Sequence, residues 1–221
     1  MEVKRQHDDR DPHGHTPVLH AGAPVAQARL VLVMLHGRGA AADDMLGLAA
    51  ELRIDDVTYL APQAEGYAWY PNRFMEPIAS NEPWLTSALA KIESLIAAAG
   101  GEGISPERVA LLGFSQGACL ASEFAARHAR RYAAVIALSG GVIGPPDTPR
   151  DYPGAFDGTP AFFGCSDIDP HIPVERVRES AEIFRRMGAA VDERIYPRMG
   201  HTVNRDELDA VRAVLLGRKS T

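Results

Sequence analysis

LLGFSQGACLASEFAARHA, residues 111–129, sets a serine between two glycines where an apolar run gives way to a helical pattern. The preceding run, RVALLGF (108–114), has the continuous hydrophobicity of a strand buried on both faces. Two readings of Ser115 follow. It either caps the helix behind it, as serine commonly does, or is held exposed by a sharp turn as a nucleophile. The pentapeptide G-F-S-Q-G alone leaves both open.

Outward from this turn the chain alternates. ARLVLVMLHG (28–37), VTYLAP (57–62), YAAVIALSGG (132–141), TPAFFGCSD (159–167) and AAVDERIYP (189–197) read as strands. MLGLAAEL (45–52) behind Asp43 and Asp44 reads as a helix, as do LTSALAKIESLIAAAGG (85–101) and PVERVRESAEIFRRMG (173–188), the latter with Pro173 at its first position. NRDELDAVRAVLLG (204–217) closes the chain as a helix capped by Asn204. Strands and helices alternating at such spacing predict an α/β fold, a mostly parallel sheet with helices on both faces. Residues 17–221 read as a single domain. Residues 1–16 are polar, proline-containing and aperiodic, and read as a flexible tail. Its histidines His7, His13 and His15 show no zinc-ligand spacing.

The bulk numbers exclude several function classes. The 221 residues are enough to bury a real core, and 46% hydrophobic with 24% charged residues is ordinary for a globular protein. A net charge of -6 argues against a nucleic-acid partner, which needs a concentrated positive field. No apolar run reaches the roughly 20 residues of a membrane span, and the charged N-terminus does not read as a secretory signal. Cys119 and Cys165 read as free thiols of a cytoplasmic protein.

In open parallel sheets, ligands bind beyond the carboxyl ends of the strands, and four such turns carry chemistry. The first is the Ser115 turn. The second, Leu35-His36-Gly37-Arg38-Gly39, has two glycines that let backbone N–H groups face an anion. It does not read as a dinucleotide site, because no third glycine follows in place and Leu60-Ala61-Pro62 ends the next strand without an acid. His36 reads as a buried structural hydrogen-bonder. The third, Asp167-Ile168-Asp169-Pro170-His171-Ile172-Pro173, offers two carboxylates, and the fourth, Met199-Gly200-His201-Thr202, a histidine with room to swing. Nucleophile, acid and base thus follow in the order Ser…Asp…His. A serine that only caps a helix predicts none of the other three turns. Between them, residues 63–83 form a long loop with Trp69, Tyr70 and Phe74.

LHGRGA, GFSQGA, the DIDPHIP segment and GHT together resemble the carboxylesterase/phospholipase family that includes the acyl-protein thioesterases. The resemblance runs from about Ala28 to Leu216. It implies a compact α/β-hydrolase fold, with Ser115 as nucleophile, Asp169 as acid and His201 as base. It also implies an oxyanion hole made by the backbone N–H groups of Arg38 and Gln116. Asp167 competes with Asp169, and the following P-H-I-P reproduces the family's spacing from Asp169. Trp69 and Tyr70 match the family's aromatic pair, and with Arg73 and Phe74 they are the expected substrate contacts. Two departures stand out. Residue 38 is usually apolar in the family, so its arginine side chain is placed to enter the acyl site. The loop behind Tyr70 is longer and more basic than the thioesterases' turn.

The expected activity is that of a carboxylesterase for short- to medium-chain esters, working through an acyl-enzyme and requiring no metal or cofactor. Acyl-protein thioesterase or lysophospholipase activity is the alternative, and a non-catalytic binding module of the same fold ranks below both. The expected partner is a small-molecule ester or thioester, with no nucleic acid and no stable membrane insertion; a homodimer is compatible with an enzyme of this type. Arg38, Arg73 and Arg198 are expected on the rim of the site, where they could meet an anionic group of the substrate.

Overall fold

A computed structural model describes residues 10–218. Among these residues seven strands form one sheet in the order β1-β3-β2-β4-β5-β6-β7. They are β1 (Val18–Gly22), β2 (Leu30–Leu35), β3 (Val57–Pro62), β4 (Val109–Phe114), β5 (Ala134–Leu138), β6 (Pro160–Ser166) and β7 (Ala190–Tyr196). All neighbouring pairs are parallel except β1 with β3, where Val18 faces Pro62 and Gly22 faces Thr58. Sequence patterning does not reveal β1. VLHAG is a half-buried edge strand without a sustained apolar run, and its pairing partner lies some forty residues away.

The α-helices of the described residues are α1 (Ala42–Leu52), α2 (Trp84–Gly101), α3 (Gln116–Arg127), α4 (Val174–Arg186) and α5 (Arg205–Leu215). The two-residue period of a strand sorts side chains onto the two faces of the sheet. In β2, Val31, Val33 and Leu35 join the core under α2, α3 and α4, while Leu30, Leu32 and Met34 join the core under α1 and α5. This is why the central strands read as unbroken apolar runs. Asn204 caps α5 with a reciprocal pair of bonds to Glu207, as its sequence suggests, whereas Pro173 stands just outside α4 rather than at its first position. Among the described residues no helix is long and apolar enough to cross a membrane.

The expected tail is corrected for residues 11–16, while His7 lies outside the described residues. His13 is fully buried and its N–H donates to Ser87 Oγ on α2. The Lys91 ammonium, also on α2, donates to the Thr16 carbonyl at 2.7 Å. Composition suggested mobility, but these polar groups are satisfied by α2 and the loop before it, which sequence periodicity does not report.

Candidate active site

The Ser115 turn is built by close approach. Ser115 has φ 55° and ψ −119°, a strained backbone for a residue with a side chain. The glycines on both sides are steric necessities. A Cβ on Gly117 would stand 2.0 Å from the Leu35 carbonyl oxygen, and one on Gly113 would stand 2.2 Å from the Gly117 carbonyl. The strained turn is held by Ser115 N–H donating to the Leu138 carbonyl at 2.9 Å, and by Cys119 N–H donating to the Ser115 carbonyl at 3.0 Å. Ser115 occupies the cap position of α3, yet its hydroxyl makes no capping bond. It lies 2.9 Å from His201 Nε2 instead.

His201 follows β7, on the loop that enters α5, and its Nδ1 lies 2.6 Å from Asp169 Oδ2. A carboxylate at Nδ1 places the imidazole proton there and leaves Nε2 free to accept from a hydroxyl. Asp169 Oδ1 accepts the N–H groups of His171 and Ile172, so the carboxylate is fixed by its own loop. Burial would raise the Asp169 carboxyl, but hydrogen bonds from His201, His171 and Ile172 outweigh it and hold it below the ordinary carboxylate value. Asp167, the competing acid, accepts the Arg198 N–H at 2.7 Å and so ties the two loops together away from the imidazole. Ser166 Oγ adds a second tie by accepting the Gly200 N–H at 3.1 Å.

The loop behind β2 faces Ser115 from the other side. His36 is fully buried; its Nε2 accepts the Ala64 N–H and its Nδ1–H donates to the Gly37 carbonyl. Burial lowers its pKa, which keeps the ring a neutral structural bridge. Among the described residues no hydrogen bond uses the N–H of Arg38 or that of Gln116, the first residue of α3. The Arg38 guanidinium does not reach freely into the acyl site. It donates to the carbonyls of Tyr70, Pro71 and Asn72 and so anchors the long loop. The Gln116 amide does the same work from α3, accepting the Trp69 N–H and donating to the Tyr70 carbonyl.

A cleft of about 880 Å³ opens over these groups, with Ser115, His201, Arg38 and Gln116 in its wall. Tyr70, Phe74, Met75, Phe114 and Ile172 supply an apolar lining, and Arg73, Glu76 and His171 a polar one. Three expected substrate contacts, Tyr70, Arg73 and Phe74, therefore line the cleft. Trp69 does not. Its indole is turned inward, fully buried, with Nε1–H donating to the His36 carbonyl at 2.8 Å. Arg198 is likewise absent from the cleft wall. Two neighbours of the site escaped the sequence reading. His171 stands edge-on to the His201 ring at 4.8 Å, and the Cys165 thiol donates to Asp169 Oδ2 at 3.8 Å. The alternation of β6 predicts only that one of Cys165 and Ser166 faces the helix layer holding α4; nothing in it marks Asp169 as Cys165's neighbour.

A mostly parallel sheet flanked by helices, with its cleft at the carboxyl ends of the strands, defines the class: a compact α/β-hydrolase. Residues 19–216 match the Phospholipase/Carboxylesterase family, to which the chain belongs. The chain is similar to the crystal structure of phospholipase/carboxylesterase from Dyadobacter fermentans, with 42% identity and a TM-score of 0.88 over 91% of this chain and 96% of that one. It is also similar to acyl-protein thioesterase 1 of Saccharomyces cerevisiae, at 26% identity over 86% of this chain and 93% of the relative. Acyl-protein thioesterase 1 of Gibberella zeae is 32% identical over 51% of this chain, and the match spans 49% of that relative's length.

Proposed function

We propose that the protein is a serine carboxylesterase that cleaves short- to medium-chain esters through an acyl-enzyme. The observation that carries the reading is the continuous contact from Ser115 Oγ to His201 Nε2 at 2.9 Å and from His201 Nδ1 to Asp169 Oδ2 at 2.6 Å. In the first step Ser115 attacks the ester carbonyl while His201 takes the hydroxyl proton. Asp169 holds the imidazole tautomer and stabilises the imidazolium that forms. The free N–H groups of Arg38 and Gln116 receive the oxyanion, a contribution of about 3 kcal/mol for each donor. His201 then returns the proton to the leaving alcohol. Water, deprotonated by the same nitrogen, releases the acid.

The relatives named as acyl-protein thioesterases support a second reading, cleavage of long-chain acyl thioesters. A hydrolysis screen across acyl chain lengths, with esters and thioesters side by side, separates the two. The first reading expects the highest kcat/KM on esters of short to medium acyl groups. A palmitoyl-thioester optimum would replace it with the second, and no turnover of either would leave a non-catalytic module.

The cleft also favours substrates that carry a negative charge away from the reacting carbonyl. The Arg73 guanidinium makes no hydrogen bond or ion pair among the described residues, and that of Arg38 is held by carbonyls alone, so neither cation is paired with a carboxylate. Two p-nitrophenyl esters of equal length, one ending in a carboxylate, measure the effect. Arg73→Ala is expected to raise KM for the charged ester by about fivefold and to leave the neutral one unchanged. Equal responses to both would remove the charge preference.

A further inference from the structure

Residues 11–16 precede the stretch matched to the family, yet they place an imidazole at the base of the active-site loop. His13 Nδ1 accepts the Glu65 N–H at 3.1 Å, and His13 Nε2–H donates to the Trp69 carbonyl at 3.0 Å. A backbone N–H can only donate and a carbonyl can only accept, so these partners fix a single neutral tautomer. The ring is enclosed by the indoles of Trp69 and Trp84, each with its centroid 5.4 Å away.

The two bonds span a turn that is also closed by its own backbone, where the Tyr67 and Ala68 N–H groups donate to the Ala64 and Glu65 carbonyls. Gly66 and Tyr67 both have positive φ, 55° and 60°. For tyrosine that conformation is strained and needs outside support. What the turn presents is the Tyr67 carbonyl, which accepts the Gly39 N–H at 2.8 Å. Gly39 directly follows Arg38, whose free N–H is one of the two proposed oxyanion donors. At its other end the turn runs into Trp69 and Tyr70, which bond the Gln116 side chain and so reach the residue carrying the second donor.

We propose that His13 is a positioning residue for the oxyanion-binding backbone: its imidazole staples the 65–69 turn, whose Tyr67 carbonyl fixes Gly39 beside Arg38. This inference rests on the proposed function, because it assigns His13 a task only if Arg38 and Gln116 receive an oxyanion. It also gives the pairing of residues 11–16 with α2 a use. Ser87 accepts the His13 N–H and donates to Asp11, and Lys91 holds Thr16, so the staple is delivered in one orientation.

The staple works in one protonation state. A second proton would go to Nδ1 and would face the Glu65 N–H. Charged groups facing the ring are Asp11 from its own segment, Glu65 from the turn and Lys91 from α2, while Ser87, Trp69 and Trp84 are uncharged. Burial dominates these and lowers the His13 pKa below its ordinary 6.5. An unfolded His13 would therefore bind its proton first. The stability that the staple contributes is complete above about pH 6.5 and is lost as pH falls through the folded value.

The test compares the full-length wild type with His13→Ala and His13→Gln on p-nitrophenyl acetate, with kcat expressed per site titrated by a fluorophosphonate and melting followed by circular dichroism. His13→Ala is expected to lower kcat by between about tenfold and a hundredfold with KM changed less than about threefold, as for a displaced oxyanion donor. His13→Gln keeps a donor for the Trp69 carbonyl and should recover part of the loss. The chain's two tryptophans both flank His13, and Trp69 also packs against the His36 ring at 5.0 Å, so the part of the fluorescence change that His13→Gln removes reports the His13 titration. The wild type should show a transition below pH 6.5 that His13→Gln lacks. Wild-type kcat in folded variants, or a loss that only tracks the melted fraction, would overturn the inference, as would a transition that survives unchanged in His13→Gln. A wild type inert toward esters would instead remove the proposed function, and this inference with it.

Discussion

Ser115→Ala should abolish nearly all ester hydrolysis, at least about a thousandfold in kcat, and leave the fold and melting temperature essentially unchanged. The separation of the two effects follows from the local structure. Among the described residues the hydroxyl's one hydrogen bond is to His201, and it makes no capping bond to α3, so its loss removes no support from that helix. The turn is held through backbone bonds to Leu138 and Cys119, which alanine retains. The residual rate comes from substrate binding and the oxyanion donors, which the substitution does not touch. Steady-state kinetics alongside a thermal melt check both halves. A variant hydrolysing p-nitrophenyl acetate at the wild-type rate would contradict the assignment of the nucleophile. An inactive variant that also melts much earlier would return Ser115 to a structural role.

Asp169→Asn should lower kcat by about ten thousandfold, while Asp167→Asn stays within a few-fold of wild type. An asparagine at 169 can still accept the N–H groups of His171 and Ile172 through its oxygen, so the loop keeps its shape. That choice turns the amide NH₂ toward His201 Nδ1. The imidazole must then accept there and carry its proton on Nε2, where it faces Ser115 as a donor and cannot act as a base. At 167 the same change preserves an acceptor for the Arg198 N–H, and no catalytic group is rearranged. Loss of activity confined to Asp167→Asn would reverse the assignment of the acid. The comparison is informative because both substitutions are isosteric and two residues apart.

Much of this architecture is legible in the chain because its central strands are buried on both faces. Runs such as LVLVML leave no doubt about β2, and the turns that end β4, β6 and β7 hold serine, aspartate and histidine in order. What escapes is decided by contacts distant in sequence. His13 is buried by Ser87 and Trp69, 74 and 56 positions away, so no local pattern announces it. Trp69 reads as a substrate contact because, with Tyr70, it matches the aromatic pair of the family the sequence resembles. In the fold its indole nitrogen is claimed by the His36 carbonyl and its ring by His13, which draws it beneath the cleft. Arg38 departs from the family's apolar preference, and only the three loop carbonyls around its guanidinium show why an arginine suits the position. The two aspartates illustrate the limit of spacing. Both sit where an acid is wanted, and a 2.6 Å contact with His201 distinguishes them.

The central claim is that Ser115 is a nucleophile activated by His201. The most direct measurement is reaction of the folded protein with a fluorophosphonate, followed by peptide mapping by mass spectrometry. A single adduct on Ser115, formed by the wild type and absent from the heat-denatured protein, is the predicted result. Labelling that fails altogether, or that falls on another residue while Ser115 stays unmodified, would contradict it.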